Sequence, residues 1–385
     1  MRKTVALAGF FLFVAALAAG APSSSRKKVS KILKSPVRVS FEEKLLSVIP
    51  TEYYEPRFGW LPSFSPDGTK VAYTAAQGEK SFAVVGDSRG PNFDGVMPPS
   101  FSPDGSKITY RARLGSKHFV MAGDKKEPDF DQVWDPFFSP DGSKVAYAAI
   151  EGDKWFIVAG GERGPAFDRV SGPSFSPDGR LGYAAEERGK GFVIIGNKRG
   201  EEFDEAGPPV FSPDGKNLAY RAKKGGKEFL VLNDKRGPEF DEIWLIAFSP
   251  DGSKTAYIAE SDGKKIVMIG DKRGPEYDYK ELDLSFSPDG SKVALVARQG
   301  GKEFVVVGNK RGPAFDSVSN PVFSPDGNKL AYVAEQDDRY FIVAGDKRGP
   351  DCDYIWRAVF SPDGRKLAYG AQQGRRLWWK VMDVK

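Results

Sequence analysis

From Phe64 to the carboxyl terminus apolar residues come in short runs bounded by glycine, proline, asparagine or aspartate, and no helical period appears in this stretch. The segment from Phe323 serves as an example. Leu330 to Ala334 and Tyr340 to Ala344 are β-rich runs on either side of a polar loop, Glu335 to Arg339. The Ser-Pro-Asp-Gly that precedes them is a turn with a mechanism: proline presets φ, aspartate bonds the backbone that follows, and glycine takes the left-handed position. Gly345 to Gly349 supplies a further turn before a fourth short strand. The pattern predicts four short antiparallel strands in each such unit.

The unit repeats. Phe-Ser-Pro-Asp-Gly begins at Phe64, Phe101, Phe138, Phe175, Phe211, Phe248, Phe286, Phe323 and Phe360, at steps of 36 to 38 residues. Length alone, at ~150 residues per domain, suggests two or three domains. The period replaces that with one domain of stacked units, none of which can bury its apolar face alone. A Tyr or Leu follows each first turn, from Tyr73 and Tyr110 to Leu295 and Tyr369. A large apolar residue stands nine positions later, from Phe82 and Phe119 to Ile266 and Trp378. Nine equivalent copies are what packing between adjacent sheets requires, and a binding site does not.

The Phe-Ser-Pro-Asp-Gly unit resembles the WD-like repeat of the TolB-type β-propeller family, found also in the propellers of prolyl oligopeptidase and dipeptidyl peptidase enzymes. The resemblance covers Tyr53 to Lys385 and implies an all-β fold: a single closed β-propeller of four-stranded antiparallel blades. It says little of function. TolB has six blades and a further amino-terminal domain, and the peptidases have a hydrolase domain for which no residues remain here. Nine copies predict nine blades, with eight blades and an irregular closing unit as the alternative. The ninth unit, Phe360 to Lys385, has room for three strands only. The aromatic segment 51–60, with Tyr53, Tyr54, Phe58 and Trp60, is expected to supply the fourth and close the ring.

The amino terminus is organised differently. Arg2 and Lys3, the apolar run Val5 to Ala19 and the small residues Ala19, Gly20 and Ala21 read as a cleaved secretory signal over residues 1–21. The run is shorter than the ~20 residues of a membrane-spanning helix. The protein is therefore expected to be exported, periplasmic or extracellular, with no transmembrane span in the mature chain. Residues 22–50 read as a basic linker and a short helix. Ser40-Phe41-Glu42-Glu43 has capping-box spacing, and Leu45, Leu46 and Ile49 follow at helical intervals before Pro50. Charge adds one correction. Residues 1–40 hold eight basic side chains and no acidic one, so of the net +5 the remainder carries −3, and overall basicity says nothing of the propeller's partners.

Candidate chemistry is sparse. With one histidine, His118, and one cysteine, Cys352, an intrachain disulfide and a His- or Cys-rich zinc site are excluded. No G-x-S-x-G elbow or P-loop accompanies His118. Cys352 replaces the Phe of a core position and reads as a small buried hydrophobe. The aspartates of the Phe-Asp pairs, such as Asp94, Asp168 and Asp241, could form a ring of cation ligands, but more readily tie turns to strands. Lysines and arginines after the Ser-Pro-Asp-Gly turns and in the Lys-Arg-Gly turns place a basic ring on one face, interleaved with acids.

The other face varies between units, as a specific site should. Trp134, Trp244 and Trp356 take the same place in three units, with Asp135 and Arg357 beside two of them. They are the candidate ligand- or partner-binding residues, and packing as wedges between blades is the competing role. The function expected is an exported, non-enzymatic scaffold for a protein partner in the cell envelope, monomeric and without a cofactor. A carbohydrate- or small-ligand-binding propeller is the alternative, and a cryptic lyase or hydrolase the third. No nucleic acid partner is expected.

Overall fold

The structure, a computed structural model, describes residues 39–53, 62–276 and 278–384, without the side chains of 279–282 and 357. The expected signal segment, most of the linker and residues 54–60 lie outside the described residues. Within them the chain forms nine antiparallel sheets, each of four strands once the broken innermost strand of blades two, three and five is taken as one, and no helix. The nine sheets are the blades of a β-propeller, as the period predicts. Blade one runs Ser63–Phe64, Val71–Gln77, Lys80–Val85 and Ser88–Arg89 in spatial as well as chain order. The first strands of neighbouring blades lie against one another near the axis, and the exposed fourth strands form the rim.

Each turn is built from its own residues. Ser65 Oγ donates to Asp67 Oδ1 at 2.6 Å and accepts from the Lys70 amide at 2.9 Å. Asp67 also takes the Thr69 amide at 3.0 Å, and Gly68 sits at φ 73°, where a side chain is strained. The same bonds recur at Ser102, Ser139, Ser249 and Ser361, and these serines are all buried. The Phe-Asp aspartates do tie turns to strands. Asp94 takes Lys80 Nζ at 2.6 Å from its own repeat and the Gly115 amide at 2.6 Å from the hairpin of the next blade. Asp131, Asp168, Asp204, Asp241 and Asp316 repeat this clip.

The repeated aromatics form the core between blades. Phe167 of blade three meets Tyr183 and Phe192 of blade four edge-on at 6.3 and 5.8 Å, and Phe203 meets Tyr220 and Phe229 of the following pair in the same way. Such contacts contribute ~0.5–1.5 kcal/mol each beyond the area they bury. Among the described residues no backbone ladder runs between blades, so the ring is held by side-chain packing and by side-chain hydrogen bonds such as the Asp94 clip, not by strand pairing from sheet to sheet.

Two expectations about the ninth blade need correction. Its strands are Tyr354–Phe360, Lys366–Gln373 and Arg376–Asp383, with Lys44–Val48 as the outer fourth. The helix read from the capping box is therefore a strand, and the fourth strand comes from 44–48 in place of 51–60; Tyr53 closes a turn onto the Pro50 carbonyl and packs edge-on against Phe82 of blade one, ring centroids 4.9 Å apart. The cause is tertiary. The unpaired edge of Arg376–Asp383 offers ladder bonds that a short isolated helix cannot match. Of the capping box only a weak Glu42 amide bond to Ser40 Oγ survives, at 3.4 Å.

Blade nine meets blade one through Trp379, fully buried beside Phe64 at 5.9 Å between ring centroids. Its Nε1 donates to the Ser40 carbonyl at 2.8 Å. A Cβ on Gly68 would stand 2.2 Å from the Trp379 ring and one on Gly370 2.3 Å from the Phe64 ring, so both glycines are required by close approach. Trp379→Ala is expected to lower unfolding free energy in urea by ~3–5 kcal/mol. A loss below about 1 kcal/mol would show that this joint does not hold the ring.

Candidate functional site

The turn face is largely occupied by its own ties. Lys254 and Lys292 reach the glycine carbonyls of the next blade's turn, Gly290 and Gly327, at 3.1 Å each, and Arg180 reaches Gly215 at the same distance. The Lys-Arg-Gly arginines lie over the third-strand aromatics: Arg89 on Phe82 at 3.8 Å, Arg163 on Phe156 at 3.5 Å, Arg199 on Phe192 at 3.6 Å. Their guanidinium groups bond Gln77, Glu151 and Glu187 at 2.6–2.7 Å. Most of the expected basic ring is thus committed within the blades.

The opposite end of each blade is where side chains differ. Trp134, Trp244 and Trp356 lie on or beside the first strands, next to the axis, not on outer loops. Register shifts follow this position in blades four, six, eight and nine, re-aiming the side chains there. Trp134 is 37% exposed and stacks on Trp155 with ring centroids 4.3 Å apart. Asp135 is paired with Arg111 at 2.9 Å. Trp244 packs against the core between blades six and seven under Lys265 Nζ, 4.8 Å from its ring. Trp356 packs against the blade one–blade nine core, 4.6 Å from Tyr354, which is 39% exposed and lies 4.9 Å from Tyr340. The Arg357 side chain lies outside the described residues. The three tryptophans do not meet in one place. Trp134 has the most open ring, and the other two have the character of wedges.

One set of residues was missed from the sequence. The position immediately before the aromatic of each third strand holds Ser81, His118, Trp155, Gly191, Glu228, Lys265, Glu303, Tyr340 and Leu377. It supplies Trp155, Lys265 and Tyr340 to the groups above. Tabulating variation across the nine units would have found it, because no other position in the strand mixes both charges, aromatics and glycine. Buried Glu228 and Glu303 accept the amides of Ile243 and Val318 in the next blade, at 2.8 and 2.9 Å, and the guanidinium groups of Arg221 and Arg298.

Acid–base chemistry has little support among the described residues. Burial first, then Arg113 and Arg111, hold His118 below its ordinary value. Among the described residues no carboxylate bonds its ring. Cys352 is buried, and burial pushes its thiol up to about 11, far from a reactive thiolate. No group of three or more His, Cys, Asp or Glu among the described residues could hold a metal ion.

No family model matches this chain, and no curated protein matches it by sequence. Solved structures do resemble it in fold. A Dos1 propeller shares 11% identity over 89% of this chain and 95% of that one, with a TM-score of 0.44. The dihydro-heme d1 dehydrogenase NirN shares 13% over 82% and 81%, with a TM-score of 0.45. TolB from Acinetobacter baumannii shares 16% over 81% and 76%, with a TM-score of 0.32. At these identities and scores they carry no argument about activity. Among the described residues no helix is long and apolar enough to cross a membrane.

Proposed function

We propose that this chain is an exported, non-enzymatic, TolB-like propeller that serves as a scaffold for a protein partner. The observation that carries this reading is the contrast between the two ends of the blades. Repeated polar residues are consumed by ties between blades, whereas Trp134 with Trp155, and Tyr354 with Tyr340 and Trp356, present partly exposed aromatic surface at positions that differ from unit to unit. Aromatic side chains of this kind are enriched among the residues that dominate protein interfaces. Export rests on the amino-terminal signal pattern alone.

The test is capture from envelope extracts, with the captured protein then purified and titrated. Wild type is expected to form a stoichiometric complex, and Trp134→Ala with Tyr354→Ala to weaken it by at least about tenfold while leaving the melting temperature unchanged. A glycan array bound by wild type and lost in the same variant would replace the scaffold with a carbohydrate binder. No stoichiometric complex would end the reading.

A further inference from the structure

Two departures from the repeat meet between blades two and three. The third residue of the Lys-Arg-Gly turn is glycine in seven units (Gly90, Gly164, Gly200, Gly237, Gly274, Gly312 and Gly349), and Glu127 stands there in blade two. Its amide keeps the repeat's bond, to the Val120 carbonyl at 2.9 Å, so the backbone is unchanged and only a carboxylate has been added. In the neighbouring turn, where the other units carry Asp or Asn, such as Asp87, Asp124, Asn197 and Asp346, blade three has Gly161. A Cβ on Gly161 would lie 3.0 Å from Glu127 Oε2, and Gly161 stands at φ 84°. One unit has gained an acid at the spot where the next has lost a side chain.

Beside Glu127 lies a cavity of about 210 Å³, lined by Lys107, Lys125, Glu127, Ser143, Lys144 and Gly160. The Glu127 side chain is only 5% exposed; its Oε1 pairs with Lys125 Nζ at 2.9 Å, and its Oε2 has no partner. A buried polar atom without a partner is destabilising, and a bound group would relieve it. Lys107 and Lys144 stand where Lys254 and Lys292 tie themselves to the next turn, yet their ammonium groups make no bond or ion pair among the described residues.

We propose that this cavity binds a small hydroxylated carboxylate of the size of one sugar acid. Three lysines against one glutamate leave the site cationic, so the ligand is an anion, its carboxylate received by Lys107 and Lys144. Glu127 Oε2 is an acceptor and accepts a hydrogen bond from a hydroxyl of the same ligand. The carboxylate fixes the charge requirement and Glu127 the hydroxyl requirement. The site lies on the turn face and does not depend on the aromatic surface of the scaffold reading.

The experiment is titration of the purified protein by calorimetry and ligand-observed NMR with D-glucuronate, beside D-glucose and acetate as probes lacking the charge or the hydroxyls. Saturable glucuronate binding is expected, with acetate and glucose weaker by at least about tenfold. Glu127→Gly restores the residue of the other blades and keeps the fold, which its melting temperature verifies. It and Lys144→Met are each expected to weaken glucuronate by at least about tenfold. Absence of saturable binding up to about 10 mM, equal binding of acetate, or equal binding by folded Glu127→Gly overturns the proposal.

Discussion

A chain starting at residue 51 is expected to melt ~10 °C below one starting at residue 39, and to associate with itself as concentration rises. Three losses add up in the shorter chain. Buried Ile49 leaves the core shared by blades nine and one, which costs about 1.5–3 kcal/mol. Trp379 Nε1 loses the Ser40 carbonyl and is left buried and unbonded, at about 1–3 kcal/mol. The ladder from Lys44 to Val48 also goes, exposing the edge of Arg376–Asp383. A total of about 5 kcal/mol is ~10 °C for a domain of this size. The bare edge is a template for another chain's strand, hence the association. Thermal unfolding and sedimentation of the two chains make the comparison. Equal melting temperatures and monomers in both would show that the amino-terminal strand is dispensable.

Stability is expected to hold from neutral pH to about pH 5 and to collapse between about pH 4 and pH 2. The turn aspartates Asp67, Asp104, Asp141, Asp214 and Asp251 lie below the ordinary 3.8 although partial burial acts against the charged form; hydrogen bonds from neighbouring serines, threonine and backbone amides outweigh it. The clip aspartates Asp94, Asp131, Asp168, Asp204, Asp241 and Asp316 are lowered first by their lysines, then by the hairpin amides. A carboxylate whose folded value lies below its unfolded one stabilises the fold above the unfolded value. That contribution is lost as pH falls through the folded value. Because the aspartates recur around the ring, many small contributions vanish in one narrow window. Melting temperatures measured from pH 7 to pH 2 make the check, and a flat profile down to about pH 2.5 would refute the account.

The fold was legible because its cause is repeated nine times. Each Ser-Pro-Asp-Gly and each Phe-Asp pair carries its own local mechanism, and the structure shows those same residues in those bonds. The amino-terminal helix was misread because Ser40, Glu43, Leu45 and Ile49 make a sound local signal, and the partner that overrides it lies more than 300 residues away, as the bond from Arg375 to the Ile49 carbonyl records with a separation of 326. The candidate site was legible only in part. Trp134, Trp244 and Trp356 stand out as tryptophans in an otherwise regular register, but whether such a ring faces solvent or a neighbouring blade depends on what stands on the adjacent third strand. That position, with Trp155, Lys265 and Tyr340, varies too much to register as part of the repeat. Glu127 escaped notice for the opposite reason: one acid among many in a charged turn is visible only once its oxygen is seen to be buried.

The strand Lys44–Val48 also sets a schedule. The Ser40 carbonyl and the Trp379 indole that bonds it are 339 positions apart, so the first part of the propeller to be synthesised is the last to find its place. Until the final blade has emerged and reached the first, the chain is an open arc whose end blades lack a neighbour. Contacts of such long sequence separation form slowly, and the waiting species carries exposed apolar faces. For a chain delivered end first, ring completion becomes the slow step. The interval before it is when the protein is most open to self-association and proteolysis.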